Sequence, residues 1–196
     1  MIQIVTIVLI WAYVLAFLYL TFRTARRSGQ SVWLFSAGRE RQGIPAALFR
    51  FAFILGCALP LVSLWVDAEW AVGTITPLNL GAPAASIGIM LMIVGGAGAL
   101  YSQWYMGNSW RIGAAAGRLG SIVSEGPFAY SRNPVFVGQI TLFSGLVLAH
   151  PTGLLLAILI CVVVAAWMQV RIEERVLDHD LGKPYFDYRQ RVRRWL

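Results

Sequence analysis

Five long apolar runs, separated by intervals that alternate between strongly basic and nearly free of charge, constrain this chain more than any other feature. A bilayer core about 30 Å thick needs roughly 20 helical residues to cross it, and a composition that is 58% hydrophobic supplies several such stretches. The first run extends from Ile2 to Phe22, the second from Ala46 to Val66, the third from Ala84 to Tyr105, the fourth from Pro134 to Ala149 and the fifth from Gly153 to Val170. Runs four and five are short and meet at His150-Pro151-Thr152, which leaves no room for a water-exposed domain and predicts a tight helical hairpin. The expected fold class is an all-α integral membrane protein with about five transmembrane helices, forming a single domain over residues 1–196.

The charges predict its orientation. The interval after run one, with the start of run two, holds Arg23, Arg26, Arg27, Arg39, Arg41 and Arg50. The interval after run three holds Arg111, Arg118 and Arg132, and the C-terminal tail holds the remaining basic residues. By the positive-inside rule these regions face the cytoplasm. The interval after run two offers only Asp67 and Glu69, and the hairpin between runs four and five is uncharged, so both are expected outside. The N-terminus is then outside and the C-terminus inside, with a bacterial inner membrane as the expected location. A net charge of +7 would fit nucleic acid in a soluble protein, but here the cations flank apolar spans and face anionic lipid, so no nucleic-acid partner is expected.

Run one lacks a basic leader region and a small-residue cleavage site, and is expected to remain as a span. Cys57 and Cys161 sit inside apolar runs and read as small hydrophobes, while His150 and His179 are isolated, so no metal is expected. Residues 1–83 read as scaffold, because polar residues, Gly and Pro gather in 84–196. Gly95, Gly96 and Gly98 in run three permit close helix approach; the Gly96-Ala97-Gly98 triplet fits packing or cofactor contact.

Two segments carry candidate chemistry. In SEGPFAYSRNPVFVG, Ser124 to Gly138, the pair Gly126-Pro127 forces a turn, and Asn133-Pro134 starts run four at the proline. The free N–H groups of that helix start lie beside Arg132, which fits an anion site or a plain capped helix with an interfacial arginine. In MQVRIEERVLDHDLGKPYFDYRQRV, Met168 to Val192, the helix of run five continues past the apolar core. Gln169 and Glu173 then share a face, whereas Glu173 and Glu174 point about 100° apart, so one faces a pocket and the other pairs with Arg171 or Arg175. These residues fit snorkelling anchors equally well. Leu181-Gly182-Lys183-Pro184 stops the helix, and Tyr185, Tyr188, Arg189 and Arg193 fall at helical spacing on a short return helix, with Arg191 and Arg194 available to lipid phosphate.

The order of these pieces, GPFxYxRNPxFxG at the head of one span, Glu-Glu at the end of the next and GxxYxxYxxxV after it, resembles the isoprenylcysteine carboxyl methyltransferase family and its bacterial membrane relatives. MGNSWRIG, Met106 to Gly113, is similar to the segment after the third span in bacterial members, and the resemblance covers Leu100 to Trp195. It implies an integral membrane enzyme using S-adenosylmethionine, with S-adenosylhomocysteine as product, and a lipophilic acceptor entering from the bilayer. The implied cofactor pocket comprises Val123, Glu125, Gly126, Pro127, Phe128, Arg132, Asn133, Pro134, Phe136, Gly138, Glu173, Glu174, Tyr185 and Tyr188. Eukaryotic members have His at the position of Asn133 and Tyr at that of Phe136. Asn hydrogen-bonds but does not titrate near neutral pH, so a histidine base does not carry over.

The expected chemistry is direct in-line transfer, in which an acceptor atom forms the new bond to the methyl carbon as the carbon–sulfur bond breaks, with positioning and desolvation supplying most of the rate. A carboxylate acceptor needs no base but wants a guanidinium, for which Arg171 and Arg189 are candidates. An amine acceptor needs a proton acceptor, for which Glu174 is the candidate. A phospholipid N-methyltransferase acting on a phosphatidylethanolamine-type head group is the alternative enzyme, and a structural or transport subunit the alternative of another class.

Overall fold

The structure is a computed structural model that describes residues 1–29, 32–34, 42–66, 69–113 and 122–196. The described chain is helical without strands: α1 (Ile2–Ser28), α2 (Gly43–Val62), α3 (Gly81–Met106), α4 (Pro134–Ala149), α5 (Gly153–Leu181) and α6 (Lys183–Arg191). Four segments, Ile2–Ser28, Gly43–Val62, Gly81–Ser109 and Gly153–Leu181, are long and apolar enough to cross a membrane. The outward stripe of α1, Ile4, Val8, Trp11, Leu15, Tyr19 and Phe22, is exposed and wholly nonpolar or aromatic, a face that lipid rather than water covers. This is an all-α integral membrane protein. Arg39, Arg41, Asp67 and Arg118, which entered the expected topology, lie outside the described residues.

Two helices are longer than their apolar runs. At about 1.5 Å per residue, α1 and α5 each reach roughly 40 Å, so Arg23, Arg26 and Arg27 on α1 and Arg171 to Asp178 on α5 ride on helix beyond the apolar core. The fourth run behaves differently. With 16 residues α4 is about 24 Å long, short of a bilayer core, and it lies against α3 at backbone distance. Gly88 and Gly95 of α3 face Gly145 and Gly138 of α4. A Cβ on Gly95 would sit 2.6 Å from the Gly138 carbonyl oxygen and 2.5 Å from the Leu142 nitrogen, and one on Gly138 would sit 2.6 Å from the Ala99 nitrogen. Seven-residue spacing puts both glycines of each helix on one stripe. Gly98, expected to share this role, faces open space.

The ends of the bundle are tied by polar groups. At one end Gln3 Nε2 donates to Ser63 Oγ at 2.7 Å, and Ser63 Oγ lies 3.1 Å from His150 Nε2, which joins the start of α1 to the ends of α2 and α4. Burial lowers the pKa of His150 to about 4, so the ring is neutral at pH 7 and serves as a hydrogen-bonding spacer. At the other end Thr21 Oγ1 accepts from Gln103 Nε2 at 2.9 Å and from Trp110 Nε1 at 3.3 Å. The Ile112 N–H donates to the Val32 carbonyl at 2.7 Å, and the Leu34 N–H to the Ile112 carbonyl at 2.8 Å. The described basic residues gather at this second end. Cys57 and Cys161 are free thiols.

Gly138→Leu is expected to force α3 and α4 apart and lower stability by roughly 1–3 kcal/mol or more, whereas Gly98→Ala keeps or slightly raises it through helix propensity. Thermal unfolding of the two variants in detergent checks this, and equal losses would contradict the packing role.

Candidate functional site

A cavity of about 370 Å³ opens at the basic end of the bundle and runs inward between α1, α2, α4 and α5. Its size falls in the range of small-molecule sites. Its outer wall contains Arg111, Arg132, Asn133, Glu173, Glu174, Tyr185 and Tyr188, and its inner wall Tyr13, Phe17, Phe49, Phe53 and Gln139. The first two helices, expected to serve as scaffold alone, therefore supply much of the apolar wall. Phe49 of α2 stacks on Phe136 of α4 at 5.5 Å between ring centroids.

The outer wall is built by local sequence. Gly126, at φ 57°, starts a 3-10 turn over Gly126–Ala129 beneath Tyr105, whose ring a Cβ on Gly126 would meet at 2.6 Å. That turn places Phe128 in the wall, where its carbonyl accepts from Tyr188 Oη at 2.8 Å. Asn133 is non-helical, as its proline neighbour dictates, and Pro134 opens α4 with no side chain capping it. The Asn133 amide instead donates to the Arg194 carbonyl at 2.8 Å, and the Arg132 N–H donates to the Arg193 carbonyl at 2.9 Å. The C-terminal segment thereby straps the Arg132 loop to the end of α5. Arg193, expected on the return helix, lies past its end at Arg191, in an extended bridge with Ser131.

The two adjacent glutamates have different surroundings. Glu174 accepts a two-pronged contact from Arg194, Nε to Oε1 at 3.0 Å and Nη2 to Oε2 at 2.7 Å, and pairs with Arg132 Nη1 at 3.2 Å. Its partners come from neighbouring segments, whereas the Arg171 guanidinium sits 3.8 Å over the ring of Trp167, an exposed residue on the same helix. Glu173 has a single amide partner, Gln169 Nε2 at 3.0 Å, and no cation among the described residues. Gln169 also donates to Gln42 Oε1 at 3.1 Å. Both glutamates line the cavity, although adjacent helical positions diverge, because the cavity wraps around this turn of α5.

Tyr185 is pushed up to about 12, first by burial and then by the Glu174 charge, with Arg132 opposing both; Tyr188 is likewise near 12, chiefly through burial. Both phenols keep their protons, and that of Tyr188 goes to the Phe128 carbonyl. Arg111 is lowered by burial and has no carboxylate partner among the described residues. Three buried polar atoms of lining residues also lack a partner among the described residues: Arg132 Nε, Gln139 Oε1 and Gln169 Oε1. Leaving such groups unmet costs stability, so their concentration around one cavity marks it as a place for a polar ligand.

Of the residues expected from sequence, Val123, Phe128, Arg132, Asn133, Pro134, Phe136, Glu173, Glu174, Tyr185 and Tyr188 come together on this cavity. Glu125, Gly126 and Pro127 shape the turn behind the wall, and Gly138 is spent on the contact with α3. Arg171 stands on its tryptophan, and Arg189 pairs with Asp178 at 2.6 Å; neither reaches the cavity. Gln139 and Tyr13 line the cavity without having been named from sequence, and Arg111 and Gln169 line it too, the first expected only as a topology-setting charge and the second only on the face of Glu173. Gln139 and Gln169 had a signal, an amide within or at the edge of an apolar run, and Arg111 lies inside the quoted MGNSWRIG.

A profile of the family described as phospholipid methyltransferase matches residues 84–183, half of the chain, over a segment that supplies the outer wall except Tyr185 and Tyr188. The chain belongs to the phospholipid methyltransferase family. Membership makes it a membrane methyltransferase acting on lipid-like acceptors and implies a methyl donor, and it displaces the reading as a structural or transport subunit. The family stands in the same superfamily as the isoprenylcysteine enzymes. A search of curated proteins gives no match.

Glu174→Gln is expected to leave Arg132 without its carboxylate and to cost roughly 3 kcal/mol, while Arg194→Gln, which removes the more exposed guanidinium, costs about 1 kcal/mol or less. Both should loosen the tail and so speed hydrogen exchange at the Arg132 amide, which donates to the Arg193 carbonyl. Thermal unfolding combined with exchange checks this, and an intact tail in Glu174→Gln would contradict the strap.

Proposed function

We propose that this chain transfers a methyl group from S-adenosylmethionine to a lipophilic acceptor at the basic end of the bundle, the cytoplasmic face by the positive-inside rule. The observation that carries this reading is one cavity that joins polar groups unpartnered among the described residues, at its outer end, to an aromatic wall between apolar helices. The cofactor's amino-acid part is an anion and a cation a few atoms apart. Arg132 Nε suits its carboxylate, and Gln169 Oε1 suits its ammonium. Phe128, Phe136, Tyr185 and Tyr188 offer an aromatic seat. Bound there, it would supply an electrophilic methyl group on a sulfonium.

The residues of the chain hold, orient and exclude water. Glu174 is occupied by two guanidinium groups and serves as the clasp of the outer wall. Glu173 is the carboxylate still open to a ligand, so the role of proton acceptor moves from Glu174 to Glu173. Arg111 replaces Arg171 and Arg189 as the guanidinium able to hold an anionic acceptor.

Two acceptor classes fit. A carboxylate, of the isoprenylcysteine type or another small membrane-soluble acid, would use Arg111 and need no base. A phospholipid amine is favoured by the family match and by Glu173, whose lack of a cation partner among the described residues suits an ammonium that must lose a proton before its nitrogen bonds to carbon.

Calorimetric titration of detergent-purified protein with S-adenosylhomocysteine tests the cofactor. Micromolar binding is expected, weakened about tenfold in Arg132→Lys, which removes Nε but keeps a cation beside Glu174, and in Gln169→Leu, as loss of one charged hydrogen bond implies. A folded wild type that does not bind would overturn the reading.

A further inference from the structure

The inner end of the cavity is apolar apart from one pair of side chains. Gln139 of α4 and Tyr13 of α1 are both buried, 5% and 3% exposed, and Gln139 Nε2 donates to Tyr13 Oη at 3.0 Å. Around them stand Phe17 at 6.0 Å and Phe53 at 6.1 Å from the Tyr13 ring, with Val14 and Val135 also in the lining. Gln139 lies five residues beyond Pro134 along α4, about 7.5 Å deeper than the helix start.

One hydrogen bond between α1 and α4 does not account for this pair. It leaves Gln139 Oε1 buried without a donor and the Tyr13 hydroxyl proton without an acceptor among the described residues. Turning the amide over exchanges the roles, since Tyr13 then donates to Oε1 and the amide N–H groups are unspent. In either arrangement the pair offers the cavity both hydrogen-bonding senses in surroundings where an unmet polar group is costly. Tyr13 does not need such a partner for packing, because a phenylalanine would stack as well on Phe17 and Phe53. A ligand group that both donates and accepts, and is small enough to sit between aromatic rings, is a hydroxyl; a carbonyl or ether oxygen only accepts.

We propose that Gln139 and Tyr13 form a hydroxyl-recognising subsite at the apolar end of the cavity, so that the lipophilic acceptor carries an alcohol group within its apolar body. This deepens the methyltransferase reading and rests on it for the word acceptor, while the subsite itself is a binding property of the cavity. It sets specificity: a plain hydrocarbon chain entering there would leave both groups unmet, and an alcohol of the same length would meet them.

The test compares dodecan-1-ol with its methyl ether, 1-methoxydodecane. Binding of each radiolabelled probe is measured on the whole protein in phosphatidylcholine nanodiscs, with empty nanodiscs correcting for partition. Wild type is expected to bind the alcohol about tenfold more tightly than the ether. The ratio should fall to within about twofold of unity in Gln139→Leu and in Tyr13→Phe, with size-exclusion profiles reporting that each variant is folded. A wild-type ratio near unity, which a resident water filling the pair would produce, overturns the proposal, and so does a tenfold ratio that survives in either folded variant. S-adenosylhomocysteine titrated into wild type in parallel keeps the two readings apart. An alcohol preference without cofactor binding upholds the subsite and sinks S-adenosylmethionine as donor, and cofactor binding without the preference does the reverse.

Discussion

The backbone-to-backbone contact of α3 and α4 governs what the rest of the molecule can do. A helix of 16 residues is too short to cross a bilayer independently, and within hydrocarbon every backbone group must be satisfied inside protein. Seating α4 on α3 through Gly88, Gly95, Gly138 and Gly145 solves both problems and fixes the depth of everything α4 carries. Its first residue, Pro134, stays at the basic end beside Arg132 and Asn133, and Gln139 is delivered into the interior beside Tyr13. Because α3 takes the opposite face of α4, the face toward α1, α2 and α5 is free to line a cavity.

That cavity is closed on the outer side by charge rather than by packing. Glu174 binds Arg132 on one side and Arg194 on the other, and the backbones of Arg193 and Arg194 accept from Arg132 and Asn133. Sequence distance is no guide here, since a residue two from the C-terminus anchors the loop before α4. The same arrangement separates the two neighbouring glutamates chemically. One is committed to the clasp, and the other has only the Gln169 amide as partner among the described residues.

Much of this was legible from the chain. The apolar runs located the long helices, and Asn133-Pro134 located the start of α4. Gly182-Lys183-Pro184 located the break between α5 and α6, because proline and glycine act on local backbone geometry that sequence encodes directly. What could not be read was the identity of partners across helices. Arg171 and Arg189 have the right charge and stand near the right place, but α5 points the first at Trp167 and α6 points the second at Asp178. Gly96-Ala97-Gly98 drew attention as a triplet, while the contact uses a seven-residue repeat that shows only when two helices are laid side by side. Gln139 and Tyr13 were each unremarkable within their runs and gain meaning only as a pair more than a hundred residues apart in sequence.

In the proposed reaction one cavity receives both a methyl donor from the basic end and a lipid-like acceptor from between the helices. The most direct measurement is transfer of label from methyl-tritiated S-adenosylmethionine into total membrane lipid by the purified protein in nanodiscs made from that lipid, followed by alkaline hydrolysis of the product. Lipid-soluble label is expected with wild type and at least a tenfold loss with Glu173→Gln for an amine acceptor or Arg111→Gln for a carboxylate, with base-stable label for an N-methyl product and volatile methanol for an ester. No lipid-soluble label from a folded protein that binds S-adenosylhomocysteine would contradict it.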